Sequence, residues 1–215
     1  GASPTPAGQQ AAADVAAWLA RTAQALAGLP GGAQLAPILM ERATRLFEGA
    51  GGPAGPDRLS KHLFEYGQML CKAHPERSAE AHEVLARARD LLAAHGLAWS
   101  DDEAAELHTA LGAAAQRAGR ADDAVPSFRR AAELAEGLVG PRARRHDHLR
   151  LGAARGALGA ALLRSARGCP KVLREALHEF RKGRRAMKLT GVGFEDPRVQ
   201  ALERDAARAL RAAHA

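Results

Sequence analysis

The chain has 215 residues, 31 Lys and Arg against 24 Asp and Glu for a formal net charge of +7, 47% hydrophobic residues and only 4% aromatics. That balance belongs to a folded chain rather than a disordered one, and the dominance of alanine, leucine, arginine and glutamate favours helix and argues against an all-β fold. No apolar run approaches the roughly 18 residues that span a bilayer.

From the start of the chain, residues 1–13 read as a polar, alanine-rich flexible lead-in. Gly1 in place of Met, followed by Ala-Ser-Pro-Thr-Pro, suggests a processed or excised fragment with a scar. Breaker clusters at Gly28–Gly32, Gly49–Pro56, Gly96–Ser100, Gly119–Arg120, Gly137–Pro141, Gly168–Pro170 and Gly191–Pro197 divide the rest. Between them lie stretches of about 15–20 residues with apolar positions three and four apart, the pattern of amphipathic helices. Eight or nine helices in antiparallel pairs are expected: a loose first pair over 14–48, clear repeats over 57–191, and a capping helix over 196–215. The last should turn Val199, Leu202, Ala206 and Leu210 inward. Two starts are legible. Ser100 and Glu103 form a capping box, and Asp196-Pro197 places an N-cap before proline at the first helical position.

The pairs repeat. Second helices carry a small residue, a bulky one four later and a small one three after that: Ala81/Leu85/Ala88, Ala124/Phe128/Ala131 and Ala176/Phe180/Gly183, with Ala36/Met40/Ala43 as a weaker instance. First helices carry glycine beside bulky residues: Tyr66-Gly67, Leu111-Gly112 and Leu158-Gly159. Small residues let helix backbones approach, and the bulky residue fills the adjoining gap. This pattern, best seen over 105–136, resembles the tetratricopeptide repeat, and its longer spacing is similar to the repeats of kinesin light chain. The resemblance implies an all-α, right-handed superhelical solenoid of antiparallel helix pairs that binds partners rather than catalysing a reaction.

Chemistry is sparse. There is no phosphate-binding glycine loop, no His-Glu-x-x-His pair and no Gly-x-Ser-x-Gly turn. His146-Asp147-His148 lacks an evident third ligand and reads as solvated loop, so no metal or cofactor is expected. Cys71 and Cys169 read as small buried apolar residues and as free thiols of a reducing, cytoplasmic-type compartment. Asp101, Asp102, Glu103 and Glu106 suit the first turn of a helix.

Charge is unevenly placed. Residues 1–107 carry 9 basic and 13 acidic groups, residues 108–215 carry 22 and 11, and 141–191 alone hold 14 and 3. On the helix expected from about Pro170 to Leu189, Lys171, Arg174, His178, Arg181, Arg185 and Lys188 recur three and four apart, opposite Leu173, Ala176, Leu177, Phe180 and Met187. They form a positive stripe about 25 Å long. Arg142, Arg144, Arg145 and Arg150 add a second cluster upstream, and Glu175 and Glu179 are the carboxylates placed to pair within the helix. A solvated helix face is one reading of this block, and a docking surface for an anionic partner is the other. The block has no Tyr or Trp to stack bases, which weighs against nucleic acid and leaves phosphate attraction alone.

If the resemblance holds, first helices line a concave groove. Its positions would be Lys61, Phe64, Gln68 and Cys71, then Glu106, Thr109, Ala113 and Gln116, then Ala153, Gly156, Ala160 and Leu163. The family's carboxylate-clamp type, which holds acidic C-terminal tails, needs lysine, asparagine and arginine at such positions, and only Lys61 is basic. The small residues of the last set would admit a close-packed apolar or helical segment, from a partner or from the chain's own terminal helix. The expected function is a non-enzymatic protein-interaction scaffold that binds a peptide or helix, an acidic one among the candidates. An electrostatic binder of nucleic acid or another anionic surface, and a regulatory domain of a larger enzyme, are the alternatives.

Overall fold

A computed structural model describes residues 5–50, 55–193 and 195–214. Among them the fold is all-helical, with no strand: α1 Pro6–Ala27, α2 Leu35–Ala50, α3 Gly55–Ala73, α4 Ser78–Ala94, α5 Asp101–Arg117, α6 Ala121–Gly137, α7 Arg145–Ser165, α8 Pro170–Lys188 and α9 Pro197–His214, with a 3₁₀ turn at Pro75–Arg77. Each helix packs mainly on its neighbours in sequence, and the chain divides into two compact units, Gly1–Ala98 and Trp99–Ala215. The division falls within 57–191. Of the breaker clusters, residues 51–54 and 194 lie outside the described residues, as do residues 1–4 of the lead-in.

The lead-in is shorter than its composition suggests. α1 begins at Pro6, where the Thr5 hydroxyl accepts from the Gly8 N–H and proline occupies the first helical position. Ala13, Ala16, Ala20 and Ala23 then form its buried stripe against α2. An alanine-rich segment looks featureless until a partner helix is available to cover one side of it. The later starts follow local chemistry. Ser100 Oγ accepts from the Glu103 N–H at 3.3 Å while Glu103 Oε2 accepts from the Ser100 N–H at 3.0 Å, and the Asp196 carboxylate accepts from the Arg198 N–H at 2.8 Å. Gly119 (φ 76°) and Gly191 (φ 75°) end α5 and α8 in the left-handed region that side chains disfavour.

In the first unit, Leu63 and Leu70 of α3, Leu85 of α4 and Met40 of α2 are buried. His62 is buried with them, its ring 5.0 Å from Phe47 and 6.5 Å from Tyr66. Its Nε2–H faces the Met40 carbonyl at 3.1 Å and Thr44 Oγ1 at 2.9 Å, while Nδ1 has no hydrogen-bond partner among the described residues. Burial therefore pushes its pKa below the ordinary 6.5, against the opposing effect of the Met40 carbonyl. The unfolded chain takes up this proton first, so the contribution is complete above about pH 6.5 and is lost as pH falls toward the lower folded value. Denaturant midpoints measured from pH 7.5 down to 5 should show the loss, and His62→Gln, which keeps a donor but does not titrate there, should flatten it.

In all three clear repeats a glycine of the first helix lies under the bulky residue of the second. A Cβ built on Gly67 would sit 2.4 Å from Leu85, on Gly112 2.8 Å from Phe128, and on Gly159 2.9 Å from Phe180. The flanking small residues Ala81, Ala88, Ala124, Ala131 and Ala176 are fully buried. In α7 and α8 backbone meets backbone, because glycine faces glycine: a Cβ on Gly183 would lie 2.9 Å from the Gly152 carbonyl oxygen. Gly159 meets Phe180 while Gly152 meets Met187, so position rises on one helix as it falls on the other, the mark of an antiparallel pair.

Candidate interaction surface

α8 is amphipathic because its apolar residues recur three and four apart. Leu173, Ala176, Phe180, Gly183 and Met187 are buried, and the opposite side carries Lys171, Arg174, His178, Arg181, Lys182, Arg185 and Lys188, all exposed. Lys182 extends the stripe beyond the residues expected from spacing. The helix's two carboxylates do not neutralise it. Glu175 accepts from Arg129 of α6 at 2.6 Å, and Glu179 accepts from Arg155 of α7 at 2.7 Å. Among the described residues, Lys171, Arg181, Lys182 and Arg185 form no ion pair, and Arg174 Nε donates to the Pro170 carbonyl at 3.3 Å.

The upstream cluster is smaller than expected. Arg142, Arg144 and Arg145 are exposed, but Arg150 is spent on Asp102 and on Glu106 (2.7 Å) of α5. The antiparallel register puts the turn holding Arg142, Arg144 and Arg145 at the end of α8 that carries Lys188. Asp147 of the His-Asp-His run accepts from the Arg144 N–H at 2.7 Å and pairs with His146 at 3.0 Å, which ties the run to the start of α7. Among the described residues no three His, Cys, Asp or Glu side chains could hold a metal ion, and no helix is long and apolar enough to cross a membrane.

Beneath the stripe sits an arginine that sequence spacing did not separate from the others. Arg155 is 7% exposed and Glu179 6%, and Arg155 also pairs with Glu136 at the end of α6. α8 packs closely on it: a Cβ on Gly183 would lie 3.3 Å from the Arg155 Cβ.

The expected groove residues divide between the two units. On α3, Lys61 is exposed and pairs with Asp57 at 3.0 Å, while Phe64, Gln68 and Cys71 share a half-buried face. Gln68 lines a cleft of about 460 Å³ with Gln24 and Gly28 of α1. On α5, Thr109 is exposed with its hydroxyl donating to the Ala105 carbonyl at 2.7 Å, Ala113 packs on the core, and Gln116 is half-buried. On α7 the chain covers part of its own surface: a Cβ on Gly156 would lie 2.3 Å from Leu202 of α9. α9 buries Val199, Leu202 and Ala209, and Leu210 points outward at 47% exposure, contrary to its expected inward position. Residue 210 lies at the edge of the stripe 199/202/206/209, about 60° from its centre, where it lines a cleft against α8 that opens to solvent.

The cysteines are unpaired with each other, and Cys169 is not buried. It is exposed at the N-cap of α8, where the nearby Val172 and Lys171 N–H groups, then the charges of Lys171 and Arg174, lower its thiol pKa. Cys169 should react with a neutral disulfide reagent or iodoacetamide at least several-fold faster than half-buried Cys71 near pH 7, read by mass spectrometry of the labelled peptides. Equal rates would contradict the assignment.

Comparison of the chain with protein-family models and with curated protein sequences gave no match.

Proposed function

We propose that the chain is a non-enzymatic protein-interaction module of tetratricopeptide-like helix pairs that docks an acidic partner on the exposed face of α8. The observation that carries this reading is that Lys171, Arg181, Lys182 and Arg185 form no ion pair among the described residues, since Glu175 and Glu179 are engaged by Arg129 and Arg155 of other helices. Like charges along one face repel and lower stability unless something anionic covers them. The recurrent glycine-under-bulky contact supports the resemblance to tetratricopeptide repeats, whose stacked pairs wind right-handed. The groove faces of α3 and α5 would then be additional docking surfaces.

The test is retention on a poly-glutamate matrix. Binding should vanish near about 0.3 M salt and be largely lost in the Arg174→Gln, Arg181→Gln, Arg185→Gln triple variant. Retention insensitive to salt or to the triple change would sink the proposal. Phe64→Ala and Gln116→Ala test the groove faces separately, by comparing the partners captured.

A further inference from the structure

Beside the stripe, α8 and α9 enclose a cleft of about 340 Å³ walled by Leu177, Phe180, Leu202, Ala206 and Leu210, with Arg181 on its rim. That is the size of a small ligand site, yet it is open along its length and holds no cluster of polar groups that would orient a metabolite. Arg184 and Glu203, which also line it, satisfy each other at 2.8 Å. Resting on the reading above, we infer that this cleft seats the apolar side of an acidic amphipathic helix from a partner protein. Arg181 belongs to both features, so an occupant that fills the cleft lies alongside Lys171, Arg174, Arg181 and Arg185. On the α9 side Arg204 and Arg211 are exposed and form no ion pair among the described residues. Cations therefore flank an apolar seam on both sides, and the complementary ligand has an apolar stripe with carboxylates on either side.

A helix meets that requirement, because residues at i, i+4 and i+7 present one apolar line while its other faces carry charge. An extended peptide would find no strand edge to pair with in a helical surface. A nucleic acid would satisfy the arginines but leave Leu177 and Leu210 against its phosphates, and the seam has no exposed aromatic for base stacking. The basic stripe, about 25 Å long, matches a partner helix of about 17 residues.

The experiment is fluorescence anisotropy with the full chain and three labelled probes: a glutamate-rich synthetic helix with leucine at i, i+4 and i+7, the same peptide with serine at those positions, and a single-stranded oligonucleotide of equal charge. The leucine peptide should bind at least about tenfold more tightly than either of the others, and Leu210→Ser and Ala207→Gln should each weaken it about tenfold. Both changes are neutral in charge and at exposed positions, and circular dichroism verifies that the fold persists. Equal, salt-sensitive binding of both peptides with no effect of Leu210→Ser would overturn the cleft while leaving the basic face standing. If neither peptide binds, both readings are overturned. Tighter binding of the oligonucleotide would overturn the helix in favour of nucleic acid.

Discussion

Arg155→Ala should lower the stability of the Trp99–Ala215 unit by about 3–5 kcal/mol, measured by guanidinium denaturation. The change leaves Glu179 buried without a partner, whereas Glu136, 58% exposed at its side chain, simply returns to water. The cost is thus the desolvation of one stranded carboxylate, rather than the worth of an ion pair. Two variants separate these. Glu136→Ala should cost well under half as much, and Arg155→Met combined with Glu179→Leu should recover most of the loss, since an apolar pair needs no compensation. A loss below about 1 kcal/mol for Arg155→Ala would mean that water reaches Glu179 and that the pair is not buried in solution. Two tryptophans, Trp18 and Trp99, fall one in each unit. A Trp18→Phe background, at a side chain 59% exposed, leaves Trp99 to report on the second unit alone.

Phe180→Ala should cost a similar about 3–5 kcal/mol, and Phe128→Ala the same. Both rings are at most 2% exposed, and each lies on a glycine that cannot extend a side chain to fill the void. The reciprocal change is informative. Gly159→Ala places a methyl 2.9 Å from the Phe180 ring and should cost about 1–3 kcal/mol through overpacking, although alanine is the better helix former. If Gly159→Ala is stabilising, the helices have room to part and the interlocking contact is not what sets their spacing.

The same contacts show how much of the fold was legible beforehand. Alternation of Tyr66-Gly67, Leu111-Gly112 and Leu158-Gly159 with Leu85, Phe128 and Phe180 was readable because a close helix crossing demands a small residue on one side and a large one on the other. The caps at Ser100 and Asp196 were readable for a simpler reason: their hydrogen bonds span two or three residues. The exposed stripe on α8 followed from periodicity alone, as did the inward placement of Phe180 and Met187.

What spacing did not reveal was the choice of partners. Arg150 and Arg155 look in sequence like further members of the basic block, yet one neutralises Asp102 and Glu106 and the other is buried on Glu179. Cys169 and Leu210 were each expected inward and are exposed, because a cap residue lies outside the packed turns of its helix and Leu210 stands at the edge of its stripe, beside a cleft that opens to solvent. The sequence by itself determined most of the helices, the starts at Ser100 and Asp196 and the apolar side of α8, since these depend on hydrogen bonds and a 3.6-residue period within one segment, whereas the start of α1 and the outward position of Leu210 it did not. The tertiary structure decided which charges remain unpaired, since an ion pair between helices depends on their crossing register, and that register is set by glycine contacts made 16–46 residues apart along the chain. On α8 that decision leaves Lys171, Arg181, Lys182 and Arg185 without an ion pair among the described residues.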